Sequence, residues 1–190
     1  MGVGNSKAGA VFGAGLRRHV EANLGAIWPI GQWHVTCRSE SGDIKWRDTI
    51  DNLVTTEGAN QILLSTLSGA ANSTIWYVGL KSTGSYVVAD TAASHAGWSE
   101  LIPYANPRKT WAATSSSVSA GSISNSTSVA SFAITSSANV AGAFLISSSS
   151  QAATTGVLYA VGEFSAAKDV ANGDTLEVTA TFTAVTSSGA

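Results

Sequence analysis

The alternation of apolar and polar residues is strongest near the C-terminus, between Thr175 and Val185. The two alternating sets are Leu176, Val178, Ala180, Phe182 and Ala184 on one side, and Glu177, Thr179, Thr181 and Thr183 on the other. A period of two with many β-branched residues predicts a strand with one buried face and one face in water. Asn172–Asp174 is expected to form the preceding turn, because Asn and Gly accept positive φ at little cost.

Other segments predict further strands. Val140–Ser147 and Gly156–Phe164 are apolar at nearly every position, which is typical of strands covered on both faces. Gln32–Ile50 predicts a hairpin, because Trp33, Val35 and Cys37 alternate with polar residues before the turn at 40–43 and the pattern resumes after it. Three more strands are expected at Ile75–Leu80, Ser117–Ile123 and Ser128–Ile134, and Pro103 and Pro107 favour irregular structure between them.

One helix is expected, at Thr55–Ser68. Thr55 or Thr56 can cap it, and Glu57 falls in its positive first turn. The predicted buried stripe is Ala59, Ile62, Leu63 and Leu67, with Gly69 ending the helix. Together these elements predict an all-β fold: an antiparallel β-sandwich, jelly-roll or Ig-like, with one short α-helix, formed by residues 32–190.

Residues 1–31 differ from the rest, because Gly and Ala dominate and large apolar groups are set among them. Phe12, Leu16, Val20 and Leu24 recur every four residues, so a short helix at Leu16–Leu24 is one hypothesis, which the nearby glycines weaken. A frayed terminus is the alternative, but disordered tails are poor in large apolar groups. We therefore expect an extended N-terminal arm that becomes ordered on a neighbouring subunit. Its candidate contact residues are Phe12, Leu16, Arg17, Arg18, Leu24, Ile27 and Trp28.

The chain of 190 residues carries few charges, 12% against about 25% in a usual soluble domain. No charged residue occurs between Trp111 and Gly162. Two interpretations stay open: a low-charge β domain, or a subunit packed against copies of another protein. The net charge of −2 gives no footprint for nucleic acid, and neither a membrane span nor a secretory signal is expected. The single cysteine, Cys37, excludes an internal disulfide, fits a reducing cytosol and is expected to be a core thiol.

The sequence contains no recognisable catalytic motif. There is no Gly-x-Ser-x-Gly elbow, no spacing of metal ligands and no phosphate-binding loop, so we expect no catalytic residue, metal or cofactor. The loop Asp90–Trp98 is the one segment whose sequence resembles a ligand-binding site, because His95 lies near Trp98. Either this loop binds a ligand, or His95 pins the loop. The chain is not expected to be an enzyme.

Several runs resemble virion structural proteins of tailed bacteriophages. These runs are Ile50–Gly58, Ser94–Glu100, Gly142–Leu145, Gly156–Gly162 and Asn172–Leu176. They extend in order from about Trp33 to Phe182, so the resemblance covers the β domain and leaves out the arm.

The resemblance implies a head decoration, or cement, protein, although it leaves the position in the virion open. Such a protein is made in the host cytoplasm, binds the outside of the major capsid protein shell and commonly forms a homotrimer. The arm would then be ordered only on the capsid, with its apolar groups in pockets of the shell protein. The alternative is a tail or fibre component that contacts carbohydrate on the host surface; a cell-wall-degrading enzyme is a third hypothesis.

Overall fold

The computed structural model describes residues 28–68 and 75–185. The helix α1 is Thr56–Leu67, and Ser115–Ser117 form one 3₁₀ turn. The strands are Trp28–Arg38 (β1), Ile44–Val54 (β2), Tyr77–Lys81 (β3), Glu100–Leu101 (β4), Lys109–Thr110 (β5), Ser122–Ser124 (β6), Ala130–Ala133 (β7), Ala138–Ile146 (β8), Leu158–Val170 (β9) and Thr175–Val185 (β10).

The strands form one antiparallel sheet that doubles over into a sandwich-like fold. Their order is β4-β3-β8-β9-β2-β1-β10-β6, with β5 beside β3 and β7 beside β10. The sheet divides along β2, which pairs with β1 as far as Asp51 and with β9 from Asn52 to Val54. One layer is therefore β2, β1, β10, β6 and β7, and the other is β9, β8, β3, β4 and β5. The main core is buried between them, so the predicted all-β fold with one short helix is confirmed.

The last strand has the bounds and the buried face that the alternation predicts. Leu176, Val178, Ala180 and Phe182 are buried, and β10 lies between β1 and the two short strands β6 and β7. The buried face ends at Phe182, because Ala184 is exposed. Gly173 has a φ of 89°, which only glycine adopts without strain, so the predicted turn is also confirmed.

Strands β8 and β9 are covered on both faces, as their apolar runs predict. Val140 and Leu145 face the main core, whereas Phe144 and Leu158 belong to a second, smaller core. The loop between β3 and β4 covers this second core with Ala92 and Trp98. The chain therefore forms three layers here, because the loop lies on the outer face of a sheet whose inner face already packs against β1 and β10.

Helix α1 begins as predicted but buries a different face. The Thr55 hydroxyl caps it by accepting from the Gly58 N–H at 3.0 Å. Glu57 Oε2 accepts the N–H groups of Leu158 and Ala92 at 2.7 and 2.9 Å, which ties the helix to β9 and to the covering loop. The only buried residues of the helix are Gly58 and Ala59.

The predicted apolar stripe of α1 is wrong beyond Ala59. Ile62 is half-buried, and Leu63 and Leu67 are 55% and 79% exposed. The reason is a close approach of backbones at the start of the helix, where a Cβ on Gly58 would lie 2.3 Å from the Tyr159 carbonyl oxygen. The helix therefore makes its closest contact with the sheet through its first turn, and the leucines of its second half are exposed.

Several strand boundaries also differ from expectation. Strand β1 begins at Trp28, so the last four residues of the predicted arm pair with β10. Strand β3 begins at Tyr77, and Ile75 is 51% exposed. The two strands expected between 117 and 134 shrink to β6 and β7. Ala120 and Gly121 take positive φ of 49° and 77° and turn the chain just before β6.

Candidate functional site

Most of the predicted capsid-contact residues lie outside the described residues. These are Phe12, Leu16, Arg17, Arg18, Leu24 and Ile27, and the short helix expected at 16–24 lies there too. Trp28 is the first residue of β1, and its side chain is not described. The structure does place the root of the arm, because Trp28 lies opposite Val185 in the β1–β10 pair.

We call this end of the sandwich the arm end. It holds the start of β1 and, since the neighbouring strands are antiparallel, the ends of β2 and β10. Helix α1 also begins here, directly after β2, and the Thr55 N–H donates to the Tyr159 carbonyl at 3.0 Å. Two chain segments therefore reach or leave the sandwich at the arm end, namely residues 1–27 and residues 186–190.

An apolar pocket of about 180 Å³ lies between the two layers near the arm end. We call it the aromatic pocket, and it is lined by Trp76, Trp111, Ile123, Leu145, Tyr159 and Phe182. Its rings touch edge to face: Tyr159 and Phe182 are 5.2 Å apart between centroids, and Trp111 and Phe182 are 5.6 Å apart. Burial raises the pKa of Tyr159 to about 12.

The two tryptophans of the aromatic pocket are held by hydrogen bonds. The Trp111 N–H donates to the Trp76 carbonyl at 2.8 Å, and Trp111 Nε1 donates to the Ala180 carbonyl at 3.2 Å. Both indoles are half-buried, so each adds a wall to the pocket and stays accessible from outside. Sequence reasoning missed this pocket, because its residues come from six separate segments and no local pattern joins them.

Unsatisfied polar atoms lie beside the root of the arm. Among the described residues, the buried side-chain atoms without a hydrogen-bond partner are Trp33 Nε1 and both polar atoms of the Asn52 amide. The Asn52 amide occupies the space beside Gly31, where a Cβ would lie 2.1 Å from Asn52 Oδ1. Each such atom costs about 1–3 kcal/mol. Gly31 itself lies opposite Phe182, which lines the aromatic pocket.

The loop that sequence analysis singled out is fixed by its own contacts. His95 Nδ1 lies 3.1 Å from the Thr91 carbonyl oxygen, and the imidazole stacks on Trp98 at 4.3 Å. Trp98 Nε1 donates to Asp90 Oδ2 at 2.9 Å, and the same carboxylate oxygen accepts the Val87 N–H at 3.0 Å. This geometry supports the pinning role for His95, and ligand binding by the loop stays a prediction.

A wider pocket of about 470 Å³ lies beside this loop. Its floor is Phe144, Ile146 and Leu158, and its wall includes a buried ion pair between Glu100 and Arg108. Both guanidinium–carboxylate distances in this pair are 2.8 Å, and Arg108 also donates to the Ser148 carbonyl at 2.9 Å. The charged groups of this wall are therefore engaged within the protein, which makes the pair a tie between loops.

Two more charged groups are buried and paired. Lys81 is wholly buried, donates to the Ser82 and Gly84 carbonyls at 2.9 and 2.6 Å and lies 3.4 Å from Glu163; desolvation lowers its pKa. Burial of Asp174 works to raise the pKa of its carboxyl, but hydrogen bonds from Lys45 and the Ala171 N–H outweigh it and lower the pKa.

Cys37 is a buried free thiol, as expected for a core residue. Burial and the neighbouring Asp174 carboxylate raise its pKa to about 11. No group of three or more His, Cys, Asp or Glu residues within 28–68 and 75–185 is placed to hold a metal ion. No helix in the described part of the chain is long and apolar enough to cross a membrane.

Comparison with known proteins gave no match, either to a protein-family model or to a curated protein. The described residues offer two apolar surfaces for binding by shape and apolar contact: the aromatic pocket, and an exposed leucine face on α1 formed by Leu63, Leu64 and Leu67.

Proposed function

We propose that this chain is a decoration, or cement, protein of a tailed-bacteriophage capsid, and that it is a binding protein without catalytic activity. It would bind the outer face of the major capsid protein shell through its N-terminal arm. The five runs from Ile50–Gly58 to Asn172–Leu176 that resemble virion structural proteins support this proposal. They fall on elements that build the core, since four of them include parts of β2, β8, β9 or β10.

The observation that carries the proposal is the way in which the arm joins the fold. Strand β1 continues the arm directly and lies inside its layer, paired with β10 over Trp28–Arg38 and with β2 over Gln32–Arg38. A pull on the arm along the strand therefore loads these hydrogen bonds together in shear, instead of opening them one at a time. A cement protein must transmit force between its anchor and its body, and this attachment provides that.

The arm itself has the composition of an anchor. Phe12, Leu16, Leu24 and Ile27 are large apolar groups among glycines, and Arg17–Arg18 add two positive charges. Ordering such a segment costs about 1–2 kcal/mol per residue, so its apolar groups must enter pockets to give net affinity. The arginines would contact acidic groups of the shell near those pockets.

Self-association as a homotrimer is part of the proposal. The uncharged run from Trp111 to Gly162 is a candidate for the contact surface because it carries no charge, but β8 and the start of β9 within it are buried inside the chain. Burial within the chain already explains why these two strands carry no charged residues, so a partner protein is not needed to explain it. The exposed apolar groups of the run, Val118 and Val129, and the leucine face of α1 are the surfaces left for contacts between copies.

The tail-fibre alternative requires exposed aromatic groups that can stack on sugars. Every Trp, Tyr and Phe side chain that the structure describes is buried or half-buried. The partly accessible indoles of Trp76 and Trp111 are the rings that a sugar could contact, but no fully exposed aromatic side chain among the described residues favours that alternative.

The test uses shells that lack the decoration protein. Three forms are compared by co-sedimentation: the full chain, a chain that starts at Val20, and a chain that starts at Trp28. Both shortened chains keep every residue of β1, so their far-ultraviolet circular dichroism should match the full chain. We expect their affinity for shells to fall at least about tenfold, which is 1.4 kcal/mol, and shells mixed with them to break at a lower temperature.

A matched charge reversal tests the arginines. Arg17→Glu with Arg18→Glu should weaken binding to shells, whereas Arg47→Glu, an exposed change on β2, should leave it unchanged. Equal affinity of the full and shortened chains would overturn the role of the arm. Absence of binding by the full chain would overturn the decoration function itself.

A further inference from the structure

The wider pocket beside the loop Asp90–Trp98, which we now call the loop pocket, has the size of a small-molecule site. Its volume of about 470 Å³ lies within the roughly 300–1,000 Å³ of such sites, and is roughly three times an engineered cavity of about 150 Å³ that holds one benzene. Every residue that lines it belongs to the described part of the chain. A compound of two or three rings would fill this space.

Most of the lining is apolar, and much of it is aromatic. The Phe144 ring in the floor lies 5.2 Å from the Trp98 ring between centroids, and the His95 imidazole stacks on Trp98 at the wall. Ile146 and Leu158 complete the floor. Because rings pack well against rings, these walls favour an aromatic body in the occupant.

The Glu100 carboxylate in the wall has no capacity left for a ligand. Its Oε1 accepts from Arg108 Nε at 2.8 Å and from the Tyr104 hydroxyl at 3.3 Å. Its Oε2 accepts from Arg108 Nη2 at 2.8 Å and from the Ala152 N–H at 2.6 Å. A carboxylate offers about four lone-pair sites, and all four are used. A hydrogen-bond donor on the ligand would therefore find no acceptor here.

The Arg108 guanidinium, in contrast, has donors left over. Three of its five N–H groups donate, two to Glu100 and one to the Ser148 carbonyl, and the other two have no acceptor among the described residues. The side chain is only 3% exposed, and its Cζ lies 5.2 Å from the centroid of the Phe144 ring that forms the floor. Buried polar groups are nearly always hydrogen-bonded, so an acceptor is expected at this point of the pocket.

We propose that the loop pocket binds a small, uncharged aromatic compound that carries a carbonyl oxygen. The rings would lie on Phe144 and against His95, and the carbonyl oxygen would accept from the two remaining N–H groups of Arg108. The carbonyl is uncharged because Glu100 already neutralises the guanidinium, and a ligand carboxylate would lie beside the Glu100 charge. Apart from this ion pair, the lining has no Asp, Glu, Lys or Arg side chain.

Three one-ring probes of similar shape test the chemistry of the site. Acetophenone has a ring and a neutral carbonyl, ethylbenzene lacks the acceptor, and benzoate carries a charge. Their affinities for the full-length protein are measured by ligand-observed NMR titration. We expect acetophenone to bind at least about tenfold more tightly than ethylbenzene, because a hydrogen bond to a charged donor contributes that much, and benzoate to bind more weakly than acetophenone.

Two matched substitutions on the same loop locate the binding. Ala96 is exposed and lines the loop pocket, whereas Ala89 is exposed and lies outside the lining. Ala96→Phe places a ring in the pocket and should lower the affinity for acetophenone at least about tenfold, and Ala89→Phe should leave it unchanged. Circular dichroism checks that both variants keep the fold. Arg108→Lys replaces the fork of N–H groups by a point charge, so it should abolish the preference for acetophenone over ethylbenzene.

Four results would overturn the proposal. They are no binding by any probe, equal affinity of acetophenone and ethylbenzene, tightest binding by benzoate, and an affinity for acetophenone that Ala96→Phe leaves unchanged. A preference for acetophenone that persists in Arg108→Lys would overturn the role of Arg108. These experiments need no shells and do not involve the arm, so the loop pocket and the proposed decoration function can fail independently of each other.

Discussion

Replacing Phe182 by alanine tests both the core and the aromatic pocket. The Phe182 side chain is 5% exposed, and burying a phenylalanine stabilises a protein by about 1.5–3 kcal/mol. Its two edge-to-face contacts, with Trp111 and Tyr159, add about 0.5–1.5 kcal/mol each. The sum of these contributions agrees with the loss of about 3–5 kcal/mol in the free energy of unfolding that is typical of replacing a core phenylalanine by alanine.

We expect the loss for Phe182→Ala in the lower half of that range, about 3 kcal/mol, because part of the ring borders the pocket and has fewer packing partners there. Phe132 provides the matched comparison. It is wholly buried and packs edge to face with Tyr104, so Phe132→Ala should cost more, about 4–5 kcal/mol. Leu67 is 79% exposed, and Leu67→Ala should change the free energy of unfolding by less than about 0.5 kcal/mol.

Urea unfolding followed by circular dichroism, at one protein concentration for all variants, measures these differences. A loss below about 1 kcal/mol for Phe182→Ala would mean that the buried face of β10 is assigned wrongly. A larger loss at Phe182 than at Phe132 would refute the argument from the pocket.

Three further predictions rest on buried polar groups. Glu100→Ala leaves the Arg108 guanidinium buried without its partner and should cost about 3–5 kcal/mol in urea unfolding; a loss below 1 kcal/mol would contradict the burial of the pair. The Cys37 thiol, with its pKa raised to about 11, should resist a thiol reagent at pH 8 until the protein unfolds, and rapid reaction of the native protein would contradict its burial. Burial raises the pKa of Tyr159 from 10.0 to about 12, so the stability that the protonated phenol contributes is complete below pH 10 and is lost as the pH rises toward 12, by up to about 1.4 kcal/mol per pH unit. Tyr159→Phe should flatten this loss, and an unchanged slope would contradict the burial of the Tyr159 hydroxyl.

Local patterns in the sequence predict those parts of the fold that local interactions decide. The alternation in β10 follows from one buried and one wet face, and the cap at Thr55 follows from the hydrogen-bond needs of a helix start. The apolar runs of β8 and β9 correctly indicate cover on both sides. In these elements, whether a side chain is buried or exposed is set by the geometry of the strand or helix itself, so the local sequence pattern is enough to predict it.

The exposed half of α1 could not be predicted from its pattern. Leu63 and Leu67 have the spacing of a buried stripe, but the helix packs on the sheet through Gly58, which lies against the Tyr159 backbone, and both leucines are exposed. This is a long-range contact between segments a hundred residues apart. The aromatic pocket could not be predicted from local sequence either, because Trp76, Trp111 and Phe182 come together only through the pairing of distant strands.

The arm and the sandwich play separate parts in the proposed mechanism. The sandwich supplies a rigid body and holds β1 between two neighbours, while the residues before Trp28 carry the apolar groups and the arginines that would reach the shell.

The most direct test of the central claim is the position of this chain in an averaged cryo-electron microscopy map of the virion. We expect density for the sandwich at repeated positions on the outer face of the shell, with the arm continuing from Trp28 into contact with the major capsid protein. Density confined to the tail, or a shell that binds the sandwich without any contact from the arm, would contradict it.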